Sequence, residues 1–244
     1  MKDFIHLLSG SLRPPAVRIA ARRHQQLPLS LGSDANAYVI GKGIHLARAP
    51  IGVSRHQVLG ILYPGDFVHA GTLPPFEGIA IISVSEMGEA WRLRWSAAKP
   101  LVDERPDLAR RIADNVADQT ARAALHNAII AGLTSDERVA ALFIEIALRT
   151  GTTTPVGFRF EMPLSRTDIA EHLALNADTV SRIVSRMRAK GHIVRTGKHR
   201  MLSANIDALT EDCPLSPALL RMHGRNHCEA SHRTPERATL PESA

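Results

Sequence analysis

The chain has 244 residues and a net charge of +6, which is enough length for two small domains that each bury a core. Hydrophobic residues make up 44% and charged residues 22%, a globular composition that excludes a disordered chain. Aromatic residues are only 4%, which disfavours modules that stack nucleic-acid bases on aromatic rings. No apolar run approaches the roughly 18 residues of a membrane span, so we expect a cytoplasmic protein without a membrane partner. Its two cysteines, Cys213 and Cys228, exclude a disulfide framework and a four-cysteine cluster within one chain.

The first part of the chain, to about Trp95, has the pattern of short strands separated by turns. The candidate strands are the two halves of Tyr38–Leu46, then Val58–Leu62, Ile79–Val84 and Trp91–Trp95. Gly43 lies in the bend between the two halves of Tyr38–Leu46, and Pro64 with Gly65 ends the strand Val58–Leu62. Pro74 and its neighbour predict a loop, because proline cannot donate a ladder hydrogen bond. This succession predicts a small β sandwich or barrel.

From Pro100 the apolar period changes from two to between three and four, which predicts a helix. Pro106 suits a first helical turn, and the helix runs to about Ala131. Its apolar stripe consists of Leu108, Ile112, Val116, Ala123, Ile130 and Leu133. Alanines, Gln119 and His126 fall near this stripe, so one face suits the β domain and another suits a partner helix. The pattern alone leaves both packing within the chain and a dimer contact open.

A second helix begins at Thr134, which forms a capping box with Glu137, and it ends at Gly151. Its buried positions, spaced as one helical face, are Val139, Leu142, Phe143 and Ile146. We therefore expect this helix to belong to a packed core.

Two short helices joined by a tight turn follow in Leu164–Gly191. Ser165 and Asp168 form an S-x-x-D cap for the first helix. Ala174-Leu175-Asn176 makes the turn, with Asn176 as the N-cap of the second helix. Two short helices around a three-residue turn match a helix-turn-helix.

The second of these helices has one apolar and one polar face. The apolar face, which must be buried, holds Val180, Ile183, Val184 and Met187. The polar face presents Asp178, Ser181, Arg182 and Ser185, with Ala177 at the leading end. Arginine can donate two hydrogen bonds to guanine, a carboxylate can accept one from cytosine, a serine hydroxyl suits either kind of base edge, and an alanine methyl can touch thymine. The alternative is an ordinary amphipathic helix in which Asp178 and Arg182 form only a surface ion pair.

Most of the excess positive charge lies in this region. Between Leu164 and Arg200 there are eight basic and three acidic side chains, a local field that suits a polyanion. Ile193-Val194 and Met201-Leu202 predict a hairpin whose basic tip includes Lys198 and Arg200. This hairpin is the wing of a winged helix-turn-helix, placed to reach DNA phosphates. A solvated basic face is the alternative.

Taken together, these residues resemble a known family. Leu164-Ser165-Arg166-Thr167-Asp168-Ile169-Ala170 and Ala177-Asp178-Thr179-Val180-Ser181-Arg182 are similar to the helix-turn-helix of the CRP/FNR superfamily of bacterial transcription regulators. Tyr38–Gly43 and the P-G-D-x-F turn Tyr63–Phe67 resemble parts of its sensor domain. The resemblance implies an α+β fold with a cyclic-nucleotide-binding-like jelly roll in residues 1–99, a dimerisation helix in 100–132 and the winged helix-turn-helix in 133–208. Proline content and polarity predict a mobile tail in 209–244.

The resemblance also implies the roles of individual residues. A homodimer would bind palindromic double-stranded DNA, and RNA polymerase would be a further partner. Ala177, Asp178, Ser181 and Arg182 would read bases in a half-site similar to TTGAT, because Ala177, Ser181 and Arg182 are closer to the FNR branch. Asp178 stands where the family commonly has glutamate, which leaves the base preference there open. The expected phosphate contacts are Ser165, Arg166, Thr179, Ser185, Arg186, Lys198 and Arg200.

The sensor half lacks the residues of the known cofactors. Cyclic nucleotide binding needs an arginine for the phosphate, and no arginine occurs between Arg55 and Arg92. An iron–sulfur cluster is disfavoured because the N-terminal region has no cysteine. Haem ligation stays open through His45, His56 or His69, which are otherwise exposed or hydrogen-bonded side chains. We therefore expect no cofactor.

Two further interpretations concern the tail and the class of protein. His223, His227, Cys228 and His232 have spacings that suit a metal, but the composition favours a mobile tail without one. No nucleophile elbow, phosphate-binding glycine loop or metalloprotease helix occurs, so we expect no enzyme activity. The alternative to a DNA-binding regulator is a dimeric ligand-binding or scaffold protein whose helix-turn-helix contacts proteins.

Overall fold

The computed structural model describes residues 16–31, 34–53, 55–155, 157–196 and 201–224. Its N-terminal part is built from nine strands, with a 3₁₀ turn at Ala70–Thr72 between the seventh and eighth. The strands are β1 Val17–Arg22, β2 Gln26–Pro28, β3 Ser30–Leu31, β4 Asp34–Lys42, β5 His45–Pro50, β6 His56–Leu62, β7 Phe67–His69, β8 Ala80–Ser83 and β9 Met87–Arg94.

These strands form two antiparallel sheets that face one another. One sheet has the order β1-β9-β4-β3 with β7 also paired to β4, and the other has the order β2-β8-β5-β6. The core between them includes Tyr38, Ile40, Leu62 and Ile81. The hydroxyl of Tyr38 donates a 2.7 Å hydrogen bond to the carbonyl oxygen of Pro28, so this buried polar group is satisfied. The predicted β domain is thus confirmed as a sandwich.

The turn between β4 and β5 requires its glycine. Gly43 has a φ of +76°, a region that favours glycine. A Cβ atom there would lie 2.9 Å from the Cβ of Ser85, too close for any side chain. The predicted glycine bend therefore follows from both backbone conformation and space.

Two helices leave the sandwich: α1 Trp95–Glu104 and the 27-residue α2 Pro106–Gly132. The prediction of a strand to Trp95, with helical structure only from Pro100, was wrong by five residues, because helix α1 begins at Trp95. The Trp95 ring packs 4.4 Å from the ring of His69 and 5.9 Å from that of Phe67. These contacts between elements are invisible in the local alternation of residues.

Helix α2 is held against the sandwich by polar contacts as well as apolar ones. Asn115 accepts a 2.8 Å hydrogen bond from the backbone N–H of Phe67, and Gln119 donates a 2.6 Å bond to its carbonyl oxygen. Leu108 packs with Val39 and Phe67 on the outer face of the first sheet. One face of the long helix is therefore committed to its own β domain.

The C-terminal part begins with helix α3 Ser135–Thr150, whose predicted capping box between Thr134 and Glu137 is present. The remaining elements are β10 Thr152–Thr154, β11 Gly157–Glu161, α4 Arg166–Leu173, α5 Ala177–Ala189, β12 Ile193–Arg195, β13 Met201–Ala204, α6 Ile206–Glu211 and α7 Ser216–His223. The strands form one antiparallel sheet in the order β10-β11-β13-β12. Predicted core residues of α3, Val139 and Phe143 among them, are fully buried.

The prediction of a mobile tail from residue 209 was wrong for residues 209–224. Helices α6 and α7 pack onto the domain and bury Leu209, Cys213 and Leu219. Pro217 signals a break in the sequence, yet it sits in the first turn of α7, where a missing N–H costs nothing. His227, Cys228 and His232 lie outside the described residues. Of the metal candidates in the tail only His223 is described, and it is buried.

No helix in the described part of the chain is both long enough and apolar enough to cross a membrane.

Two buried histidines predict how stability depends on pH. Burial lowers the pKa of His45 to about 4 and that of His223 to about 4. Below pH 6.5 these two histidines bind protons in the unfolded chain but stay neutral in the folded chain. Stability is therefore complete above about pH 6.5 and falls as the pH drops towards 4, by on the order of 3 kcal/mol per histidine.

Urea unfolding between pH 7.5 and 4.5 measures this loss, and a His45→Asn variant should show a shallower pH dependence over that range. The matched control is His56→Asn, whose side chain is exposed. Equal pH dependence in the unmodified protein, His45→Asn and His56→Asn would contradict the assignment.

Candidate nucleic-acid interface

Helices α4 and α5 form the predicted helix-turn-helix, and each of its sequence signals is present. The Ser165 hydroxyl accepts a 3.0 Å hydrogen bond from the backbone N–H of Asp168, whose carboxylate accepts a 2.7 Å bond from the N–H of Ser165. The turn places Ala174 in the left-handed region with a φ of +53°. Asn176 then caps α5 by accepting a 2.8 Å bond from the N–H of Asp178. Reciprocal caps of this kind stabilise a helix start by about 1 kcal/mol each.

The apolar stripe of α5 orients the helix. Val180, Ile183 and Val184 are at most 1% exposed and Met187 is 4% exposed. Burying side chains of this size contributes about 1.5–3 kcal/mol each. Because this stripe faces the core, the opposite face meets solvent: Asp178, Arg182 and Ser185 are exposed, and Ala177 and Ser181 are half-buried.

The hydrogen bonds on this face define what it offers a ligand. The hydroxyls of Ser181 and Ser185 each donate a 2.9 Å bond to the carbonyl oxygen four residues earlier, so both present oxygen lone pairs outward. Within helix α5, no ion pair joins Asp178 to Arg182. The surface pair that an ordinary amphipathic helix would have formed here is thus absent from α5, and both charged groups remain available to a partner.

The predicted phosphate-contacting residues fall into three groups. Ser165, Arg166 and Thr179 are half-buried near the starts of the two helices. Arg186 forms a 2.6 Å ion pair with Asp136, in which both side chains are more than half exposed. Lys198 and Arg200 lie outside the described residues, although strands β12 and β13 on either side of them form the predicted wing.

Two residues of this surface were missed by the sequence reasoning. Arg188 and Arg195 lie beside Arg166, at a cavity where α4, α5 and β12 meet. Arg166, Arg188 and Arg195 belong to three different elements, so only the tertiary fold brings them together. The basic excess of the segment was the available signal, and it does not say which charges converge.

The β domain contacts the helix-turn-helix directly. Arg48 of β5 forms an ion pair with Asp168 and a second, at 3.1 Å, with Glu171. Gln57 of β6 donates a 2.6 Å hydrogen bond to the carbonyl oxygen of Glu171. Asp168 therefore serves both the cap of α4 and the contact between domains.

A stacked pair of imidazoles adds to this contact. The rings of His126 in α2 and His172 in α4 are stacked with their centroids 4.1 Å apart. Burial lowers the pKa of both groups, and that of His172 lies well below the usual range. Neutral rings can stack in this way, whereas two charged ones would repel.

A buried carboxylate joins the β domain to helices α2 and α3. Asp66, in the P-G-D-x-F turn, is 2% exposed and pairs with Arg122 of α2 at 2.8 Å and with Arg149 of α3 at 3.4 Å. Both guanidinium groups also lie over the ring of Tyr63. Burial raises the pKa of Asp66, and the two arginines oppose that shift. This turn therefore connects all three parts of the molecule.

The three histidines considered for haem do not share one environment. His45 is fully buried in β5 and His56 is exposed in β6. The ring of His69 accepts a 3.1 Å hydrogen bond from the N–H of Gly71 and lies 4.4 Å from the Trp95 ring at an angle of 37°.

Comparisons with known proteins agree with this architecture. Residues 137–211 match the Crp-like helix-turn-helix domain. The nitrogen fixation regulation protein FixK of Bradyrhizobium diazoefficiens is 28% identical over 159 residues, 64% of this chain and 65% of that protein. The transcriptional activator protein FnrL of Cereibacter sphaeroides is 25% identical, over 65% of this chain and 64% of that protein. The chain thus matches slightly less than two thirds of the length of these two relatives.

Solved structures show the same fold. FixK2 from Bradyrhizobium japonicum has a TM-score of 0.66 at 21% identity, covering 81% of this chain and 97% of that one. A transcriptional regulator of the CRP family from Thermus thermophilus has a TM-score of 0.64 at 18% identity, covering 80% and 95%. The succession of a β sandwich, a long helix and a helix-turn-helix domain is thus a fold that this chain shares with these two structures. Helices α4 and α5 lie within the matched Crp-like helix-turn-helix region, and the two sequence relatives are by name a regulation protein and a transcriptional activator.

The contact between the domains generates a prediction about Arg48. In Arg48→Met the carboxylates of Asp168 and Glu171 lose their partner while still partly buried, so the free energy of unfolding should fall by about 1–3 kcal/mol. Hydrogen exchange should also accelerate in α4. The matched control is Arg18→Met, which removes an exposed pair with Glu89 and should cost clearly less stability than Arg48→Met, because solvent screens an exposed pair. Equal losses in both variants would contradict the role given to Arg48.

Proposed function

We propose that the protein is a sequence-specific transcription regulator that inserts α5 into the major groove of double-stranded DNA. The observation that carries this proposal is the outward face of α5, where Arg182 is exposed and has no ion pair with the neighbouring Asp178. A helix presenting a free guanidinium beside hydrogen-bond acceptors suits the edges of base pairs. The names of the relatives, regulation proteins and transcriptional activators, support the same interpretation.

Each side chain on this face has a chemical part in the proposal. Arg182 donates two hydrogen bonds to guanine O6 and N7, and Asp178 accepts from the amino group of cytosine. Ser181, whose proton is already donated to its own helix, accepts from a base amino group, and Ala177 touches a thymine methyl. The resemblance to the FNR branch supports a half-site similar to TTGAT. Ser165, Thr179, Ser185, Lys198 and Arg200 position the protein on phosphates, as backbone contacts do in general.

A homodimer on a palindrome is the second part of the proposal. The face of α2 turned away from its own β domain carries exposed small side chains: Ala113, Ala117, Ala121, Ala124 and Ala128. Small residues let two helices approach closely, and a two-fold dimer matches two half-sites of opposite orientation. By resemblance to the family, RNA polymerase is a further partner.

The sensor domain works without cyclic nucleotide or iron–sulfur cluster in this proposal. Residues 69–77 form a short 3₁₀ turn and a loop, without an arginine to meet a cyclic phosphate. The space between the two sheets is filled by side chains such as Tyr38 and Ile40. Thermal unfolding with and without cyclic AMP tests this part: binding to the folded state would raise the melting temperature.

Selection of bound sites from random duplexes tests the proposal as a whole. We expect a palindrome with at least one guanine in each half-site. Recovery of no common sequence, or of a sequence without two-fold symmetry, would overturn it.

Arg182→Ala separates base reading from general attraction. The variant should lose about 1–3 kcal/mol of binding free energy per half-site on the selected duplex, with little change on random DNA. Arg94→Ala, which removes an exposed arginine from the β domain, is the control. Lys198→Ala should weaken all sequences alike and reduce the salt dependence. Equal loss on selected and random DNA in Arg182→Ala would show that this residue does not read a base.

The alanine face of α2 predicts the effect of a charge. Ala121→Glu places two carboxylates in the dimer contact and should convert the dimer to monomer in sedimentation experiments. Ala97→Glu, at an exposed position of α1, should leave the dimer intact. A dimer that survives Ala121→Glu would exclude this face as the interface.

A further inference from the structure

Three arginines from different elements meet at one small cavity on the C-terminal domain. The cavity has a volume of about 330 Å³. Arg166 is the first residue of α4, Arg188 lies in the last turn of α5, and Arg195 ends β12. The apolar side of the cavity is formed by Phe143, Met162, Leu164, Val184 and Leu202.

These three cations have no counter-charge within the described part of the chain. Other partly buried arginines do: Arg48 pairs with Asp168 and Glu171, and Arg122 with Asp66. Arg166 is half-buried, and its pKa is lowered by burial first and by the charge of Arg188 second. The free protein therefore holds like charges close together without relief. An anion entering the cavity would remove that repulsion.

The cavity continues the polar face of α5. Arg188 follows Ser181 by seven residues and Ser185 by three, so the three side chains lie along one side of the helix. Arg188 lies about 9 Å beyond Arg182 along the helix axis, at a rise of ~1.5 Å per residue. Arg186, by contrast, is already paired with Asp136. A ligand lying along this face would pass from the base-reading residues to the arginine cluster.

We propose that Arg166, Arg188 and Arg195 together hold one phosphate of the DNA backbone in each half-site, outside the bases that α5 reads. Guanidinium groups suit this ligand because their forked N–H donors match phosphate oxygens. The site rests on the proposed function, since it requires DNA on α5. It extends the interface to Arg188 and Arg195 and makes the wing strand itself, besides its tip, part of that interface.

One shared phosphate has a consequence that three separate contacts would not have. Neutralising a single phosphate contributes about 0.9 to the slope of log Kd against log salt. Removing Arg188, Arg195 or both should therefore lower that slope by no more than about 0.9 per half-site, or about 1.8 for a dimer on two half-sites. If Arg188 and Arg195 held separate phosphates, the double variant would lower it by about 3.6 for the dimer.

The test replaces single phosphates of the selected duplex by uncharged methylphosphonates, one position at a time. For the unmodified protein, one position per half-site outside the read bases should weaken binding roughly 10- to 100-fold, as loss of a charged hydrogen-bonded contact does. The Arg188→Ala/Arg195→Ala double variant should bind the plain duplex more weakly and be much less sensitive to that position, because only Arg166 is left to contact the phosphate. Arg94→Ala should keep the profile of the unmodified protein. Arg166 is left intact because it is half-buried.

The outcomes separate this inference from the function on which it rests. A double variant with an unchanged methylphosphonate profile, or a slope that falls by about three units or more for the dimer, would overturn the shared phosphate while leaving the regulator intact. Failure of the unmodified protein to select any duplex would overturn both. Thermal unfolding provides the folding control: removing an unpaired positive charge beside Arg166 should not lower the melting temperature of the double variant.

Discussion

The burial of one apolar stripe on α5 determines what the rest of the surface can do. Val180, Ile183, Val184 and Met187 belong to a core that also contains α3 and the sheet of the wing. Rotating the helix to expose them would cost several kcal/mol of buried apolar surface. Which polar side chains face solvent is therefore decided by packing.

This same core extends into the β domain. Leu46, Val58 and Ile61 of the second sheet share it with Ile129 of α2, with α3 and with α4. The polar contacts lie at its edges: Arg48 holds Asp168 and Glu171 of α4, and Asp66 holds Arg122 and Arg149. A shift of β5 or β6 would change the apolar and the charged contacts that these strands make with α4. The β domain and the helix-turn-helix thus share one apolar core and a set of ion pairs.

Much of the C-terminal domain could be predicted from the sequence because its signals are local. The capping boxes at Thr134 and Ser165, the turn before Asn176 and the apolar stripe of α5 each involve residues a few positions apart, and all are present. The start of α1 at Trp95 was missed because its side chain is fixed by contacts with Phe67 and His69, far away in sequence.

Helices α6 and α7 were missed for a related reason. Prolines and polar residues are typical of a tail, and only the tertiary structure shows Leu209 and Leu219 buried against the domain. The pairing of Arg186 with Asp136 and the convergence of Arg188 with Arg195 also depend on the fold. Charge counts predicted a basic surface but not which arginines were already neutralised.

In the proposed complex, the N-terminal half of α5 reads base edges, with Arg182 on guanine. Methylation of guanine N7 on the selected duplex tests it directly, because a methyl group at N7 removes the acceptor that Arg182 requires. We expect that methylation of one particular guanine in each half-site prevents binding of the unmodified protein, and that Arg182→Ala no longer distinguishes methylated from unmethylated DNA there. Equal sensitivity of both proteins at that guanine, or no sensitivity at any guanine, would contradict it.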